Sequence, residues 1–273
     1  MKIAIQGIRE SFHAIAATTL FTSDIELTEC DTFRDVFLSV KNEESDFGVV
    51  AIENSLYGSI NDTYDLLVKH DLHICGEAYE QIGLHLLGTS ESSLDTITDV
   101  YSHPAALGES VDYLDQFLPS ARRHESTDTA LSAKDISNLN DPTKAAIAGH
   151  AAAESYNVKY LAKNIETHHD NYTRFIAISK HRANPPRSQC KSSIVFQTGD
   201  TPGCLYNALG VFAKSKINLS KLESRPIVGK AWHYMYYVDL ETIFTDNLED
   251  ELSKFATDIR LLGCYKPGSI QTT

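Results

Sequence analysis

Short β-rich runs recur through the first 180 residues, at Ile3 to Gln6, Ile25 to Cys30, Val49 to Ile52, Leu72 to Cys75 and Val100 to Tyr101. Between them lie segments of helical character, Thr32 to Val40, Thr63 to Val68 and Pro104 to Phe117. This alternation predicts parallel strands joined by crossover helices, an α/β body. The stretch Lys180 to Gln189 has no apolar periodicity, and its Pro185-Pro186 pair excludes a helix or a central strand. Residues 181–190 are therefore expected to be a linker between a body of residues 1–180 and a domain of residues 191–273. Past the linker, Ser192 to Thr198 reads as a strand, and Leu205, Leu209 and Phe212 share one helical face. Ile217 to Leu222 and Trp232 to Leu240 read as strands, the latter placing Trp232, Tyr234, Tyr236 and Val238 on one face. Leu248, Leu252 and Phe255 mark a second helix and Arg260 to Tyr265 a last strand, which completes a ferredoxin-like βαββαβ order.

A length of 273 residues favours about two domains, and 42% hydrophobic residues suffice for packed cores. The net charge of -13 lies wholly in the first 190 residues, which hold 15 Lys and Arg against 28 Asp and Glu; the remainder holds nine of each. Such an acidic body, with no basic cluster beyond Arg122-Arg123, argues against nucleic-acid binding. An anionic ligand would have to be held by local donors. Five cysteines without a Cys-x-x-Cys pair signal neither a disulfide framework nor a zinc site, and a reducing cytoplasm is the expected setting. The N-terminus is too quickly polar for a signal peptide, and no apolar run approaches the roughly 20 residues of a membrane span.

The stretch Asp170 to Ile178 sets a hydroxyl, a guanidinium and an aromatic ring side by side at the start of an apolar strand. Period-2 geometry sends Thr173 and Arg174 to opposite faces, so only one of them can face a given pocket. Upstream, Glu53, Asn54 and Ser55 end an apolar strand and precede a helix, where free backbone N–H groups can receive a carboxylate. Gly7 with Ser11-Phe12 forms another strand-to-helix turn.

Thr173-Arg174-Phe175 resembles the Thr-Arg-Phe signature of the prephenate dehydratases. Further blocks follow the order of that family: Val49 to Ser55 with Gly58 and Thr63 to Leu67, Ser102 to Leu107, Asp128-Thr129-Ala130, and Ala145 to Gly149. Thr201 to Leu205 and Asn218 to Pro226 are similar to the two ligand motifs of the family's phenylalanine-sensing ACT domain. The resemblance spans nearly the whole chain. It implies a catalytic body of two lobes, like a periplasmic binding protein, with lobe one near residues 1–80 and 161–180 and lobe two near 81–160. It further implies decarboxylating dehydration of prephenate to phenylpyruvate without metal or other cofactor, feedback inhibition by phenylalanine, and a homodimer or homotetramer. Arogenate is an alternative substrate, and a catalytically dead phenylalanine-binding homologue an alternative role.

The same resemblance makes Thr173 the donor to the departing hydroxyl, with Glu53 and Asn54 beside it, while Arg174 is either an anion clamp or half of a structural ion pair. Gly7, Ser11, Phe12, Ser55, Glu109, Thr129 and Phe175 are the expected substrate contacts, and His103 reads as a helix start. Gly203, Cys204, Leu205, Asn218, Leu219, Glu223, Ser224, Arg225 and Pro226 would frame the phenylalanine pocket between subunits, with Glu223 and Arg225 organising its loop. The chain departs from the family in Glu10 for Gly, Ala51 for Pro and Glu109-Ser110 for Gln-Cys. An ionised Glu109 only accepts hydrogen bonds and would repel a dianion, so either burial raises its pKa, or it points away, or activity is lost.

Overall fold

The computed structural model describes residues 1–22, 24–186, 189–227 and 229–270. The first lobe comprises β1 (Lys2–Gln6), α1 (Phe12–Leu20), β2 (Glu26–Cys30), α2 (Phe33–Lys41), β3 (Phe47–Asn54), β4 (Gly58–Ser59), α3 (Asn61–His70) and β5 (His73–Gln81). The second contains β6 (His85–Gly88), β7 (Asp99–Ser102), α4 (Pro104–Glu109), α5 (Val111–Phe117), β8 (Arg122–Glu125), α6 (Thr129–Leu139), β9 (Lys144–Ala148), α7 (His150–Ser155) and β10 (Lys159–Ala162). The chain then returns to the first lobe as β11 (Tyr172–Ser179). Two crossings, at residues 82–84 and 163–171, thus join the lobes.

In the first lobe the strand order is β2-β1-β3-β11-β5, with β1 parallel to β2 and β3, and β11 antiparallel to both its neighbours. Burial on both faces makes Val49 to Ile52 and Phe175 to Ile178 continuous apolar runs rather than alternating ones. Successive residues nevertheless serve different cores. Ile3, Ile5, Val49, Ala51 and Phe175 pack with α1, whereas Ala4, Val50, Ile52, Ile176 and Ile178 pack with α2 and α3. Side chains capping the helices define where they start: Ser11 accepts from the Ala14 N–H, Thr32 from Asp35 and Asp128 from Leu131. The second lobe has the order β10-β6-β9-β7-β8 around its own core of Leu84, Leu86, Val100, Leu114 and Ile147.

The C-terminal domain runs β12 (Lys191–Thr198), α8 (Cys204–Lys214), β13 (Leu219–Pro226), β14 (Tyr234–Leu240), α9 (Asp246–Leu252) and β15 (Ala256–Tyr265). Its antiparallel sheet, ordered β13-β14-β12-β15, is the ferredoxin-like arrangement. Val195, Tyr237, Leu262 and Tyr265 from this sheet join the α2/α3 core of the first lobe in one apolar cluster. β15 passes so close over β5 that a Cβ on Gly263 would lie 2.0 Å from the Ile74 carbonyl oxygen.

Several expectations are corrected. The helix expected over Pro104 to Phe117 is two helices, divided at the fully buried Ser110. The strand expected to end at Leu222 continues through Pro226, so Glu223 to Pro226 belong to a strand rather than a loop. Trp232 precedes β14 with φ 63° and is 85% exposed, off the strand face assigned to it. Phe255 lies beyond α9. Cys190 and Cys264 form a disulfide, because β12 and β15 are neighbours and Ser192 lies opposite Cys264. Within the expected linker, Arg187 and Ser188 lie outside the described residues. Among the described residues no helix is long and apolar enough to cross a membrane.

Candidate active site

A cavity of about 370 Å³ lies between the lobes. Asn54 ends β3 and pairs directly with Thr173 on β11, so both side chains reach the same wall. The Asn54 Oδ1 accepts from the backbone N–H groups of Leu56 (2.9 Å) and Tyr57 (3.0 Å), which fixes the orientation of the amide. Its Nδ2 donates to Asn171 Oδ1 at 2.7 Å and to Thr173 Oγ1 at 3.0 Å. With its oxygen accepting from Asn54, the Thr173 hydroxyl keeps its own hydrogen for a partner in the cavity.

Phe12, Thr129, Phe175 and Glu109 line the cavity as expected. Gly7 adopts φ +87° at the cavity edge, where a Cβ would stand 2.7 Å from the Asp128 carboxylate. Gly fits both the backbone angle and this contact between lobes. Ser11 is buried as the cap of α1, and Ser55 is exposed, with its Oγ accepting from Tyr172 N–H at 2.9 Å.

Glu53 and Arg174 do not line the cavity. Each precedes a cavity residue on its strand and is turned by the pleat to the opposite face. There Arg174, 4% exposed, donates to Glu77 (2.7 Å), Asp239 (2.6 Å) and the Tyr265 hydroxyl (3.0 Å). Lys191 reaches Glu77 at 2.6 Å, completing a cluster of two cations and two carboxylates between β5, β11 and the C-terminal sheet. Glu53 accepts from Lys221 at 2.6 Å and lies 3.8 Å from Arg174. Among the described residues, then, the geometry makes Arg174 an interdomain ion-pair residue rather than a clamp on a ligand in the cavity.

Sequence reasoning left out several residues of the wall. His13 on α1 accepts from the Ala51 N–H through Nε2 at 3.3 Å and meets Phe175 edge-on at 5.0 Å. Burial, with a smaller contribution from His103, pushes its pKa down to about 3. His103 caps α4, accepts from the Ala105 N–H through Nδ1, and is also lowered by burial. Both rings are therefore neutral near pH 7. The Asp128 carboxyl is raised by burial above its ordinary range. No Lys or Arg belongs to the cavity wall among the described residues, so an anion there is met by N–H and O–H donors and by the N-termini of α1 and α6.

The two lobes meet around the cavity through further contacts. Tyr156 donates to Glu10 at 2.6 Å, Tyr57 to the Ala105 carbonyl at 3.4 Å, and the Phe12 ring fills the space beside Gly149. Glu10, the departure from the family pattern near the first loop, is thereby tied to the second lobe and is absent from the cavity wall. Glu109 is buried on the wall, and burial pushes its pKa up to about 7.

A second cavity, of about 360 Å³, lies at the start of α8 beside Thr201, Gly203, Cys204, Leu205 and Trp232. Asn218, Leu219, Ser224 and Pro226 do not reach it within one chain. On β13, Glu223 accepts from Ser59 at 2.7 Å, while Lys221 also donates to Ser59 at 2.6 Å and Arg225 to Asp65 at 2.9 Å. These alternate residues face the first lobe.

Residues 3–183 match the family model described as prephenate dehydratase. A bifunctional chorismate mutase/prephenate dehydratase of Aquifex aeolicus is 39% identical over 99% of this chain and 75% of its own length. An arogenate dehydratase/prephenate dehydratase of Arabidopsis thaliana is 36% identical over 97% of this chain and 72% of its own. Among solved structures, prephenate dehydratase of Arthrobacter aurescens in complex with L-Phe superposes with a TM-score of 0.88 and 28% identity, covering 97% of this chain and 90% of that one.

Proposed function

The chain belongs to the prephenate dehydratase family, and we propose that its interlobe cavity carries out that reaction with Thr173 as the hydrogen-bond donor to the departing hydroxyl. The ring carboxylate leaves as carbon dioxide, its bonding pair enters the ring, and the 4-hydroxyl leaves with one proton as water. Aromatisation makes the step strongly downhill. The enzyme has to hold two carboxylates and assist one leaving group, a contribution of roughly 10²–10⁴-fold for a positioned donor.

The observation that carries this reading is the bond from Asn54 to Thr173, which leaves the hydroxyl hydrogen available in a cavity otherwise largely apolar. A Thr hydroxyl is too weak an acid to give up its proton alone, so it passes hydrogen-bond character on while solvent supplies the net proton. Thr129 and the starts of α1 and α6 meet the carboxylates through backbone N–H groups, whereas the Gly7 N–H is spent on the Cys30 carbonyl at 2.9 Å and Gly7 is not on the cavity wall. Incubating purified protein with prephenate and following phenylpyruvate by its absorbance in base tests the assignment. Folded protein without turnover would reject it and favour a phenylalanine-binding homologue without activity. Arogenate, named with prephenate for the Arabidopsis relative, is run in parallel.

Phenylalanine is the proposed inhibitor, as the Arthrobacter relative's L-Phe complex supports. Its carboxylate would sit at the start of α8, where Gly203 at φ +90° leaves the backbone open. Asn218, Leu219, Ser224 and Pro226 would come from a second copy, making the enzyme a cytoplasmic homodimer or homotetramer. Exposed Tyr206 and Trp232 flank this cavity and provide the apolar surface for such a contact.

A further inference from the structure

Glu109 is the last residue of α4 and only 8% exposed, with its side chain on the cavity wall. Facing it from the segment before β11 is Glu166, itself buried, whose oxygens already accept from the Leu84 N–H and contact His169 Nδ1. The Asn171 amide lies beside the Glu109 carboxyl, and its buried nitrogen has no hydrogen-bond partner among the described residues. Tyr57, from the turn after β3, is the remaining titratable group near it, and His103 begins its own helix. His103 is held neutral near pH 7 and no Lys or Arg lines the cavity among the described residues, and burial sets the carboxyl at about 7.

Donor direction gives this arrangement a meaning. The Asn54 amide launches two chains of hydrogen bonds, one to the Thr173 hydroxyl and one to Asn171 Oδ1. In the second chain the Asn171 nitrogen, unpartnered among the described residues, ends beside the Glu109 carboxyl. A carboxylate at position 109 would end that chain in an acceptor facing a dianion. A carboxylic acid there can take a hydrogen bond from the free Asn171 nitrogen on one oxygen while it offers O–H on the other.

We propose that Glu109 binds substrate in its protonated form and donates its O–H to a substrate carboxylate, so that binding above neutral pH draws one proton from solvent onto the enzyme. The inference rests on the dehydratase reading of this cavity. The proton stays on Glu109 while the ligand is bound and is not consumed in the chemical step. Glu109 is thus a residue that determines affinity for the dianion, with Asn171 positioning it.

The test is kcat/KM for prephenate between about pH 6 and 9 for wild type and Glu109→Gln, whose amide donates at every pH in that range. Wild type should lose about tenfold per pH unit above roughly 7, mostly through KM, while E109Q varies by less than about twofold. A flat wild-type profile, or a parallel fall in E109Q, overturns the proposal. Calorimetry with phenylpyruvate at about pH 8, in two buffers of different ionisation enthalpy, supplies an independent readout that needs neither turnover nor the variant. Proton uptake near one per bound anion is expected for wild type; uptake near zero, or no binding, overturns the proposal. Wild-type protein that takes up the proton on binding phenylpyruvate but does not turn over prephenate would reject the dehydratase reading while leaving the role of Glu109 in anion binding intact.

Discussion

Lys221 of the C-terminal domain donates to Glu53 of the first lobe at 2.6 Å, one residue from the Asn54 that holds the Thr173 hydroxyl. The same lysine donates to Ser59, and Ser59 donates to Glu223. Lys221→Met should therefore loosen the mechanical tie between β13 and the end of β3. We predict that the phenylalanine concentration for half inhibition rises several-fold while uninhibited turnover changes by less than about threefold, since the pair costs and gains little net energy when partly exposed. Inhibition curves for the two proteins decide it; an unchanged midpoint would remove β13 from the route of regulation.

Thr173→Ala removes a group whose hydrogen bond matters mainly as the hydroxyl leaves, so turnover should fall by about 10²–10⁴-fold with a small change in KM. Thr173→Ser should keep part of the rate, because the hydroxyl remains. Near-normal turnover in the alanine variant would exclude Thr173 as the donor.

For Arg174 the expected effect is on stability. Replacement by Leu leaves the buried Asp239 without its cation and Glu77 with Lys191 alone, and should cost about 3–5 kcal/mol in urea unfolding. Any loss of activity should follow the unfolded fraction. A variant with wild-type stability and no turnover would return Arg174 to the active site.

His13 makes stability depend on pH. Its folded pKa of about 3 lies below the ordinary 6.5, so in acid the unfolded chain binds a proton that the native state refuses. Stability is thus fully present above about pH 6.5 and falls as pH drops toward 3, by up to about 1.4 kcal/mol per pH unit from this residue. Comparing unfolding free energies of wild type and His13→Gln at pH 7, 6 and 5 isolates the effect. Equal slopes for the two proteins would show that His13 titrates normally.

Period-2 reasoning separated Thr173 from Arg174 in the sequence, because two residues adjacent on a strand cannot share a face. It could not say which of them met the ligand, since each face of β11 is buried and the apolar residues that follow give no alternation. Glu223 to Pro226 looked like a loop for a related reason: the inward residues Lys221, Glu223 and Arg225 are charged and are matched by Glu53, Ser59 and Asp65, so hydrophobicity does not mark the strand. His13 escaped notice, and Asp128 was read only as part of a helix start, because their importance lies in contacts with Ala51 and Gly7 far along the chain. The pairing of Cys190 with Cys264 likewise depends on strands brought together across 74 residues. Motif order located the cavity; only the pleat and the domain contacts sorted its residues into those facing ligand and those facing the neighbouring domain.

The apolar cluster in which Val195, Tyr237, Leu262 and Tyr265 join Phe37, Leu67 and Ile74 bears on how the enzyme would respond to a protease. A cut in the segment between residues 181 and 190 would sever the chain without separating its parts, because the faces on either side of that cluster are apolar and surround a buried charge network. The product would be a nicked protein still held together, and still sensitive to its inhibitor, rather than a released and unregulated catalyst. Clipping, which frees many enzymes from an attached inhibitory domain, is closed to this one by the place where its core was put.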